Sequence, residues 1–478
     1  MLKKLNRTTA QKKQLYPIKV LQFGKGNFLR AFADWMVDIL NEKENFGGAV
    51  EIVQVNAQAT DLRFKDQDGL YHVVLNGMRQ GKSVRETRLI TCIAGVTNPF
   101  EDYQAYLKAG ENPDLEFVIS NTTEAGIDFS EKDKSPEALP ETFPAKLTAL
   151  LFRRYKFFKG DGDKALTILP CELIEKNGEA LRDRILQYID HWKLEEGFKT
   201  WITNHTLFCN TLVDRIVPGF PKDTISDIWR ETGYEDHLVV TAEPFHLWVI
   251  EPKFVGDMSL DGLRVSLPLE QAGFQVKFTD DLSPYRTGKV RILNGSHTAM
   301  VPVGYLRGLR TVREVIEDNF MGDFVSRTIQ EEIIPTLDLP AEELQRFAAD
   351  TIERFQNPFI RHELKSIALN SVSKFQVRVL PTILEYIRRR EKLPQRLLHA
   401  FAALILFYKG EWKGEQIPVN DTPAVLEFFR NAWNSNDVAG VVDHVLSNEA
   451  FWGTDLTRID GFSSAVKKQA RVISEGEA

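Results

Sequence analysis

The hydrophobic pattern differs between the two halves of the chain. Near the start, Ile18–Phe23 and residues 50–55 form short apolar runs with the length and composition of buried strands. Residues 28–41, which lie between them, carry apolar side chains at helical spacing. A strand, a glycine-containing turn, a helix and a second strand form the βαβ unit with which nucleotide-binding domains begin.

The same alternation continues to about residue 280. Further strand-like runs occupy residues 71–75, Phe117–Ser120 and 166–169, and a helix-like segment at residues 145–158 separates two of them. Apolar strands interleaved with helices are typical of a mostly parallel sheet covered on both faces. The pattern predicts an α/β protein whose N-terminal part is a Rossmann-like, doubly wound sheet.

From residue 283 onward, almost every segment has the helical period. Residues 342–355, 360–382 and 397–409 are examples, and prolines separate such segments. We therefore predict two domains. Residues 1–282 form the dinucleotide-binding, Rossmann-like domain, and residues 283–478 form a mostly α-helical domain for substrate binding and catalysis.

The amino-acid composition limits the kinds of molecule that the protein is expected to bind. The chain has 478 residues, 43% of them hydrophobic and 27% charged, with a formal net charge of −7. This composition is ordinary for a globular protein and has no basic excess that would attract nucleic acid or an anionic membrane. The longest apolar run, at residues 397–408, is too short to span a bilayer. We expect neither nucleic acid nor a membrane as a partner.

Cysteine usage bears on compartment and metal binding. The three cysteines, Cys92, Cys171 and Cys209, form no CxxC pair, which disfavours a disulfide framework and a structural zinc site. The N-terminal segment lacks the apolar core of a secretory signal. We expect a cytoplasmic protein without a metal cofactor.

A glycine-rich turn directly follows the first strand. Gly24 permits a tight turn, and Gly26 lets a pyrophosphate approach the backbone at a helix N-terminus. Leu29 replaces the third glycine of the dinucleotide fingerprint, so the match is partial. Because the turn lies between a strand and an amphipathic helix, we predict cofactor binding by Gly24, Gly26, Asn27 and Phe28.

A second polar loop follows the strand Phe117–Ser120. It contains Asn121, Thr122 and Thr123, and an open α/β sheet binds its ligand at such strand ends. These three residues are further candidates for cofactor contact, with an ordinary loop as the alternative. Residues 54–58, at the end of the second strand, lack the carboxylate that usually binds a ribose. The residues alone leave the choice between NAD and NADP open.

Lys289, Asn294 and His297 are polar residues in an apolar run. On an α-helix, at about 100° per residue, Asn294 lies about 140° and His297 about 80° from Lys289, so all three share one face. Val290 and Leu293 fall in the same arc, and apolar surroundings lower a lysine pKa towards neutrality, which suits proton transfer. An amide can stabilise a developing alkoxide and a histidine can orient a hydroxyl. The alternative is a solvated helix face.

Tyr285 and Lys289 offer a second interpretation of the same helix. They have the YxxxK spacing of short-chain dehydrogenases. Those chains are about half as long and carry the pair inside the nucleotide-binding domain, whereas this pair lies at the predicted domain boundary. We interpret the spacing as coincidental.

Three blocks together resemble one known family. The glycine turn, the sequence TLVDRI at residues 211–216 and the pattern Lys289-x4-Asn294-x2-His297 resemble the mannitol dehydrogenase family of long-chain polyol dehydrogenases in order and spacing, over nearly the whole chain. The resemblance implies hydride transfer with NAD(H) and no metal. Longer blocks, at residues 120–127 and 170–178 among others, resemble members that reduce a keto-hexuronate in sugar-acid catabolism.

The resemblance also implies roles for single residues. Lys289 matches the lysine that protonates the alkoxide in reduction and acts as the base in oxidation. Asn294 matches an asparagine that polarises the carbonyl, and Asn210 matches a second one, so the pair is expected to form an oxyanion hole. His297 matches a histidine that orients the substrate.

The substrate end departs from the polyol pattern. Lys374 matches another active-site lysine, but Ser366 stands where the polyol pattern has an arginine eight residues earlier. A uronate carboxylate needs a cation, for which Lys374, Arg361 and His362 are candidates. The expected partner is a small keto sugar acid, and the oligomeric state, monomer or small homo-oligomer, stays open. Another keto-hexuronate, a neutral ketose, or a non-catalytic role as an NADH-binding regulator are the alternatives.

Overall fold

Two units divide the chain in the computed structural model. Unit 1 comprises residues 1–76 and 84–282, and unit 2 comprises residues 77–83 and 283–478. The structure describes residues 2–12, 16–123, 125–253, 259–435 and 437–476.

The described residues contain fifteen strands. In chain order they are β1 (Lys3–Lys4), β2 (Ile18–Phe23), β3 (Ala49–Val53), β4 (Tyr71–Arg79), β5 (Lys82–Ile90), β6 (Ile93–Thr97), β7 (Phe117–Ser120), β8 (Thr167–Pro170), β9 (Leu207–Asp214), β10 (Tyr234–Glu235), β11 (Val240–Ala242), β12 (Leu247–Lys253), β13 (Val276–Phe278), β14 (Glu411–Trp412) and β15 (Glu415–Gln416).

The α-helices of the described residues follow the same convention. Those of unit 1 are α1 (Asn27–Arg30), α2 (Ala33–Lys43), α3 (Leu62–Asp66), α4 (Tyr103–Lys108), α5 (Phe143–Phe157), α6 (Asn177–His191), α7 (Glu196–His205), α8 (Ile225–Thr232) and α9 (Leu260–Ser266). Those of unit 2 are α10 (Ser283–Lys289), α11 (Ser296–Leu306), α12 (Val312–Glu317), α13 (Asn319–Arg327), α14 (Ala341–Phe355), α15 (Leu364–Ile367), α16 (Ser371–Arg378), α17 (Leu380–Arg390), α18 (Gln395–Phe407), α19 (Pro423–Ser435), α20 (Val438–Leu446), α21 (Glu449–Trp452) and α22 (Phe462–Glu475). Val290–Gly295 and Thr328–Ile333 are π-helical, and short 3₁₀ turns occupy Ala109–Glu111, Gly162–Lys164, Ile334–Thr336 and Leu456–Arg458.

An eight-stranded sheet organises unit 1. Its order is β6-β3-β2-β7-β8-β9-β12-β13. The six strands from β6 to β9 are parallel, whereas β12 runs antiparallel to β9. Counted along the chain, those six strands have the Rossmann order 3-2-1-4-5-6, in which the direction of winding reverses between β2 and β7. The carboxyl ends of β2 and β7 therefore flank the crevice where such sheets bind dinucleotides.

Helices cover both faces of this sheet. On one face, Leu147 of α5 and Leu181 of α6 pack in one cluster with Val118 of β7. On the other, Met36 of α2 packs in one cluster with Ile52 of β3. All five side chains are buried. The predicted Rossmann-like, doubly wound sheet is confirmed.

Unit 1 also departs from the sequence-based expectation. The predicted helix at residues 28–41 is divided into α1 and α2, and the strand predicted at residues 71–75 is part of the longer β4, outside the large sheet. It pairs with β5 and β11 in a separate three-stranded sheet. Gln80 and Gly81 both have positive φ in the turn between β4 and β5. Such turns suit a tight hairpin, and its tip, residues 77–83, groups with unit 2.

Unit 2 is mostly helical, as predicted. Its central helix α18 is buried along residues 397–407 and packs against α11 and α22. The single helix predicted at residues 360–382 is wrong, because this stretch forms α15, α16 and the start of α17. Asn370 adopts a left-handed conformation at the start of α16, and Pro381 lies in the first turn of α17. No helix in the part of the chain that the structure describes is long and apolar enough to cross a membrane.

We expect Gly178→Ala to destabilise unit 1. Gly178 lies in the first turn of α6, where an added Cβ would overlap the backbone of Cys209 on β9. Because the backbone of Cys209 cannot move aside without disturbing β9, the substitution should lower the free energy of unfolding by about 1–3 kcal/mol. Urea unfolding measures this change. Gly26→Ala is the control, because its Cβ would meet no atom within 4 Å. Equal stability of the two variants would contradict the close packing of α6 on β9.

Candidate active site

Gly24 allows two loops to meet at the crevice of the unit 1 sheet. It follows β2 and has a φ of 118°, which side chains rarely permit. An added Cβ would lie 3.1 Å from the carbonyl oxygen of Asn121, which follows β7. Any larger residue would push the loop after β2 away from the loop after β7.

The start of α1 has the shape of a phosphate site. Gly26 is its N-cap, no side chain caps the helix, and a Cβ at Gly26 would point into open space. The first amide groups of α1 thus lack a side-chain acceptor beside a surface that a ligand can approach. Asn27 accepts a hydrogen bond from Arg30 at 2.7 Å, and Phe28 stacks on Phe32 with ring centroids 4.8 Å apart. This loop fits the pyrophosphate of a dinucleotide.

The loop after β7 is held by a buried carboxylate that the sequence analysis missed. Glu172 accepts hydrogen bonds from the Ser120 hydroxyl at 3.0 Å and from the Thr122 amide and hydroxyl at 2.9 and 3.0 Å. Burial raises the pKa of Glu172. The Asn121 amide donates to a backbone carbonyl after β8 at 2.6 Å, whereas Thr123 is exposed. Asn121 and Thr122 therefore shape the loop, and Thr123 is accessible to a ligand.

The end of β3 carries an amide rather than a carboxylate. Gln54 accepts a hydrogen bond from Lys25 Nζ at 2.9 Å and donates to the carbonyl of Asn56 at 3.1 Å. Asp61, the next acid along the chain, caps α3 and forms an ion pair with Arg63 at 2.6 Å. Gln54 has no carboxylate, and the carboxylate of Asp61 is paired with Arg63. Neither residue therefore provides a free carboxylate to bind a ribose.

In unit 2, a π-helical turn separates Lys289 from His297. Lys289 ends α10, Asn294 lies within Val290–Gly295, and His297 is in the first turn of α11. Backbone hydrogen bonds in a π turn join residues five apart, so each turn holds more residues than an α-helical turn does. The two side chains are closer in direction than the 140° expected from an uninterrupted α-helix. Both are half-buried, and the Asn294 amide has no hydrogen-bond partner within the described residues.

Hydroxyl groups stabilise this turn. The single hydroxyl hydrogen of Ser296 is shared between the Leu293 carbonyl, at 3.2 Å, and the Ile292 carbonyl. Thr298 donates to the Asn294 carbonyl at 2.8 Å. Side-chain donors of this kind satisfy backbone carbonyls where the regular helical ladder is interrupted. The sequence SHT after Gly295 therefore supports the geometry of the turn.

His297 lies in a pocket of aromatic and cationic side chains. Its ring centroid is 4.3 Å from that of Phe355 and 5.1 Å, edge-on, from that of His362. The Nε2 atom is buried without a hydrogen-bond partner, although other atoms of the side chain reach the surface. Burial is the main reason why the pKa of His297 is well below its usual value. The ring is therefore neutral near pH 7 and can bond a substrate hydroxyl.

The three predicted substrate cations are placed differently. Lys374, on α16, is half-buried, and burial lowers its pKa. Its ammonium donates to a backbone carbonyl of α15 at 2.9 Å. His362 contacts His297, as described above, whereas the Arg361 side chain is 81% exposed and forms an ion pair with Glu363 at 3.4 Å. The structure thus brings His362 to His297 and leaves Arg361 at the surface.

Asn210 is hydrogen-bonded to two carboxylate side chains. This residue is buried on β9 in unit 1, and its amide donates to Glu179 and to Glu251, both at 2.9 Å. Its side-chain oxygen accepts from the Glu179 amide at 3.1 Å. Both amide hydrogens are therefore engaged in this structure, and the oxyanion role of Asn210 stays a prediction. Sequence matching could not reveal this, because the two carboxylates come from distant segments.

Arg215 of the TLVDRI block braces unit 1. Its guanidinium donates to the carbonyls of Ala31 at 2.7 Å and Glu243 at 2.9 Å. The same group lies 4.3 Å from the ring centroid of Trp35. This arginine therefore holds the chain after β9 against the segment that joins α1 and α2.

The sequence also led to expectations about the cysteines and about metal binding. Cys92, Cys171 and Cys209 are free and buried, and burial raises the pKa of each thiol. Searching the described ranges reveals no group of three histidines, cysteines or carboxylates that could hold a metal ion.

Both units match models of one protein family. The mannitol dehydrogenase Rossmann domain matches residues 18–262, and the mannitol dehydrogenase C-terminal domain matches residues 281–474. These matches cover most of the chain and include the glycine turn and the Lys289 helix. The chain belongs to the mannitol dehydrogenase family.

Individual relatives are similar over nearly their full length. Altronate oxidoreductase of Bacillus subtilis (strain 168) is 46% identical over 99% of this chain and 96% of its own. Altronate oxidoreductase of Yersinia enterocolitica is 44% identical over 96% and 95%. Among solved structures, a D-sorbitol dehydrogenase has the same fold, with a TM-score of 0.81, 24% identity and coverage of 99% and 98%. Pseudomonas fluorescens mannitol 2-dehydrogenase, in a ternary complex with NAD and D-mannitol, has a TM-score of 0.67, 25% identity and coverage of 99% and 97%.

We expect His297→Asn to change how stability depends on pH. A histidine with a lowered folded-state pKa takes up its proton first in the unfolded chain, as the pH falls below about 6.5. The free energy of unfolding of the wild type should therefore decrease from pH 7 to pH 5, and the decrease should be shallower in His297→Asn. Urea unfolding at several pH values measures both curves. Parallel curves would contradict a buried, neutral His297.

Proposed function

We propose that the protein is an NAD-dependent tagaturonate reductase, also called altronate oxidoreductase, which interconverts tagaturonate and altronate in hexuronate catabolism. The observation that carries this proposal is the π turn, which lies between a lysine and a neutral histidine and contains an amide that has no hydrogen-bond partner within the described residues. The similarity to altronate oxidoreductases over nearly the full chain supports the substrate. Lys289 provides a proton donor, Asn294 provides a hydrogen bond to the substrate oxygen, and His297 provides a contact to a substrate hydroxyl.

The residues of unit 2 account for the proton chemistry. When bound, NADH supplies the hydride that reduces the substrate ketone to an alcohol. The Lys289 ammonium gives its proton to the resulting alkoxide, and in the reverse direction the neutral amine removes the hydroxyl proton. The Asn294 amide donates a hydrogen bond to the same oxygen, on which negative charge develops. The neutral ring of His297 bonds a substrate hydroxyl and orients the chain of carbon atoms.

The residues of unit 1 account for cofactor binding. On this proposal, Gly24 and Gly26 form the turn for the pyrophosphate, and the amides of Asn27 and Phe28 bind it. Thr123 provides an accessible hydroxyl after β7. On this proposal, residues 1–282 are the dinucleotide-binding domain and residues 283–478 the substrate domain. The three buried thiols fit a reducing, cytoplasmic setting.

A panel of substrates tests the proposal. Purified protein is mixed with NADH or NADPH and with tagaturonate, fructuronate or fructose, and the loss of the nicotinamide absorbance is followed. We expect the highest kcat/KM with tagaturonate and NADH. Faster turnover of fructuronate or fructose would instead indicate fructuronate reductase or mannitol 2-dehydrogenase. Cofactor binding without turnover of any substrate would indicate a non-catalytic NADH-binding regulator.

Two variants separate a lysine mechanism from a short-chain mechanism. Lys289→Ala should lower kcat by about 10²- to 10⁴-fold, because it removes the acid–base group. Its affinity for NADH, measured by fluorescence titration, should stay close to that of the wild type. Tyr285→Phe should retain much of the activity. Loss of activity in Tyr285→Phe, with activity retained in Lys289→Ala, would reverse the assignment.

A further inference from the structure

Arg378 is a half-buried arginine whose donors have no protein partner among the residues that the structure describes. It is the last residue of α16, and burial lowers the pKa of its guanidinium. No hydrogen bond or ion pair to its side chain occurs within the described residues. A guanidinium has five N–H donors, and holding it partly out of water without an anion is unfavourable. The arrangement is suited to an anionic ligand.

Close backbone packing places Arg378 in the candidate active site. A Cβ at Gly295 would lie 3.0 Å from the Arg378 carbonyl oxygen, so only glycine lets α16 approach the π turn this closely. Gly295 lies between Asn294 and the helix that carries His297. The charge of Arg378 contributes to the lowered pKa of His297 and to that of Lys374. Arg378 therefore belongs to the same group of side chains as the predicted substrate residues.

Lys374 adds a second cation on the same face of α16. Residues four apart are neighbours on a helix surface, so its ammonium lies one turn from Arg378. One ammonium hydrogen is donated to a backbone carbonyl of α15, which leaves two. The carboxylate whose charge acts on Lys374 is Asp421, which accepts hydrogen bonds from the Tyr408 hydroxyl and from two backbone amides. Neither cation has an ion pair within the part of the chain that the structure describes.

We propose that Arg378, together with Lys374, binds the substrate carboxylate and thereby selects keto sugar acids over neutral ketoses. This inference rests on the proposed function. A hexuronate ends in a carboxylate, and the guanidinium fork matches its two oxygens. A neutral ketose leaves those donors unpaired, so the site should bind it less tightly than a keto sugar acid. Arg361, exposed and paired with Glu363, lacks these properties.

Kinetics with paired substrates tests the inference. Tagaturonate carries the carboxylate, and tagatose is the neutral ketose of the same length. We expect Arg378→Met to lower kcat/KM for tagaturonate by about 10- to 100-fold, mainly through KM, because a charge-assisted hydrogen bond is lost. Its kcat/KM for tagatose should equal that of the wild type or exceed it. Arg378→Lys should recover part of the loss, and Arg390→Met, at an exposed arginine of α17, is the matched control.

The outcomes distinguish this inference from the proposed function. Equal losses for both substrates would show that Arg378 supports the fold, and an unchanged KM for tagaturonate would show that the carboxylate binds elsewhere. Either result overturns the inference. If the wild type reduces no keto-hexuronate, the proposed function is overturned, and calorimetry with altronate then decides the role of Arg378. Binding of altronate that weakens in Arg378→Met but not in Arg390→Met supports the carboxylate site, and equal binding refutes it. If Arg378→Met does not fold, Arg378→Gln and Arg378→Lys are compared in the same way.

Discussion

The chemistry of unit 2 depends on one interruption of helical hydrogen bonding, the π turn at Val290–Gly295. An uninterrupted α-helix would separate the directions of Lys289 and Asn294 by about 140°, whereas bonds that join residues five apart make this angle smaller. The turn ends at Gly295, and its lack of a side chain lets α16 pack against the turn. A single local irregularity thus narrows the angle between the proton donor and the amide, and it accompanies the close approach of α16 that brings Arg378 near His297.

Charge and burial act together around this turn. His297 is kept neutral by burial, while Lys374 and Arg378 remain cationic and lack ion pairs within the described residues. Half-buried cations without an ion pair are unfavourable in a folded protein, and an anion that binds to them offsets this cost. The substrate end of the site is therefore suited to a negatively charged molecule, and the neutral histidine is suited to a hydroxyl. In unit 1, the buried carboxylate of Glu172 fixes the loop after β7 by accepting its hydrogen bonds.

Sequence reasoning succeeded where a local pattern controls the structure. Strands Ile18–Phe23 and Phe117–Ser120 have the predicted bounds, because short apolar runs between turn residues have few other solutions. It failed at residues 360–382, where Asn370 and Pro381 divide an apparent helix into three. It also predicted a strand at residues 71–75 but not the strands with which this strand pairs. Pairing with β5 and β11 joins segments far apart in the chain, and a one-dimensional pattern does not encode which strands meet.

The sequence alone determined the alternation of strand and helix, the glycine turn after β2 and the identity of the block that contains Lys289, since each of these depends on neighbouring residues. Only the tertiary structure decided which of the polar residues have partners. It showed the amide of Asn210 to be engaged by two carboxylates, and the guanidinium of Arg378 to lack any partner within the described residues. The physical reason is that hydrogen bonding and desolvation depend on groups from distant segments, which the fold brings together.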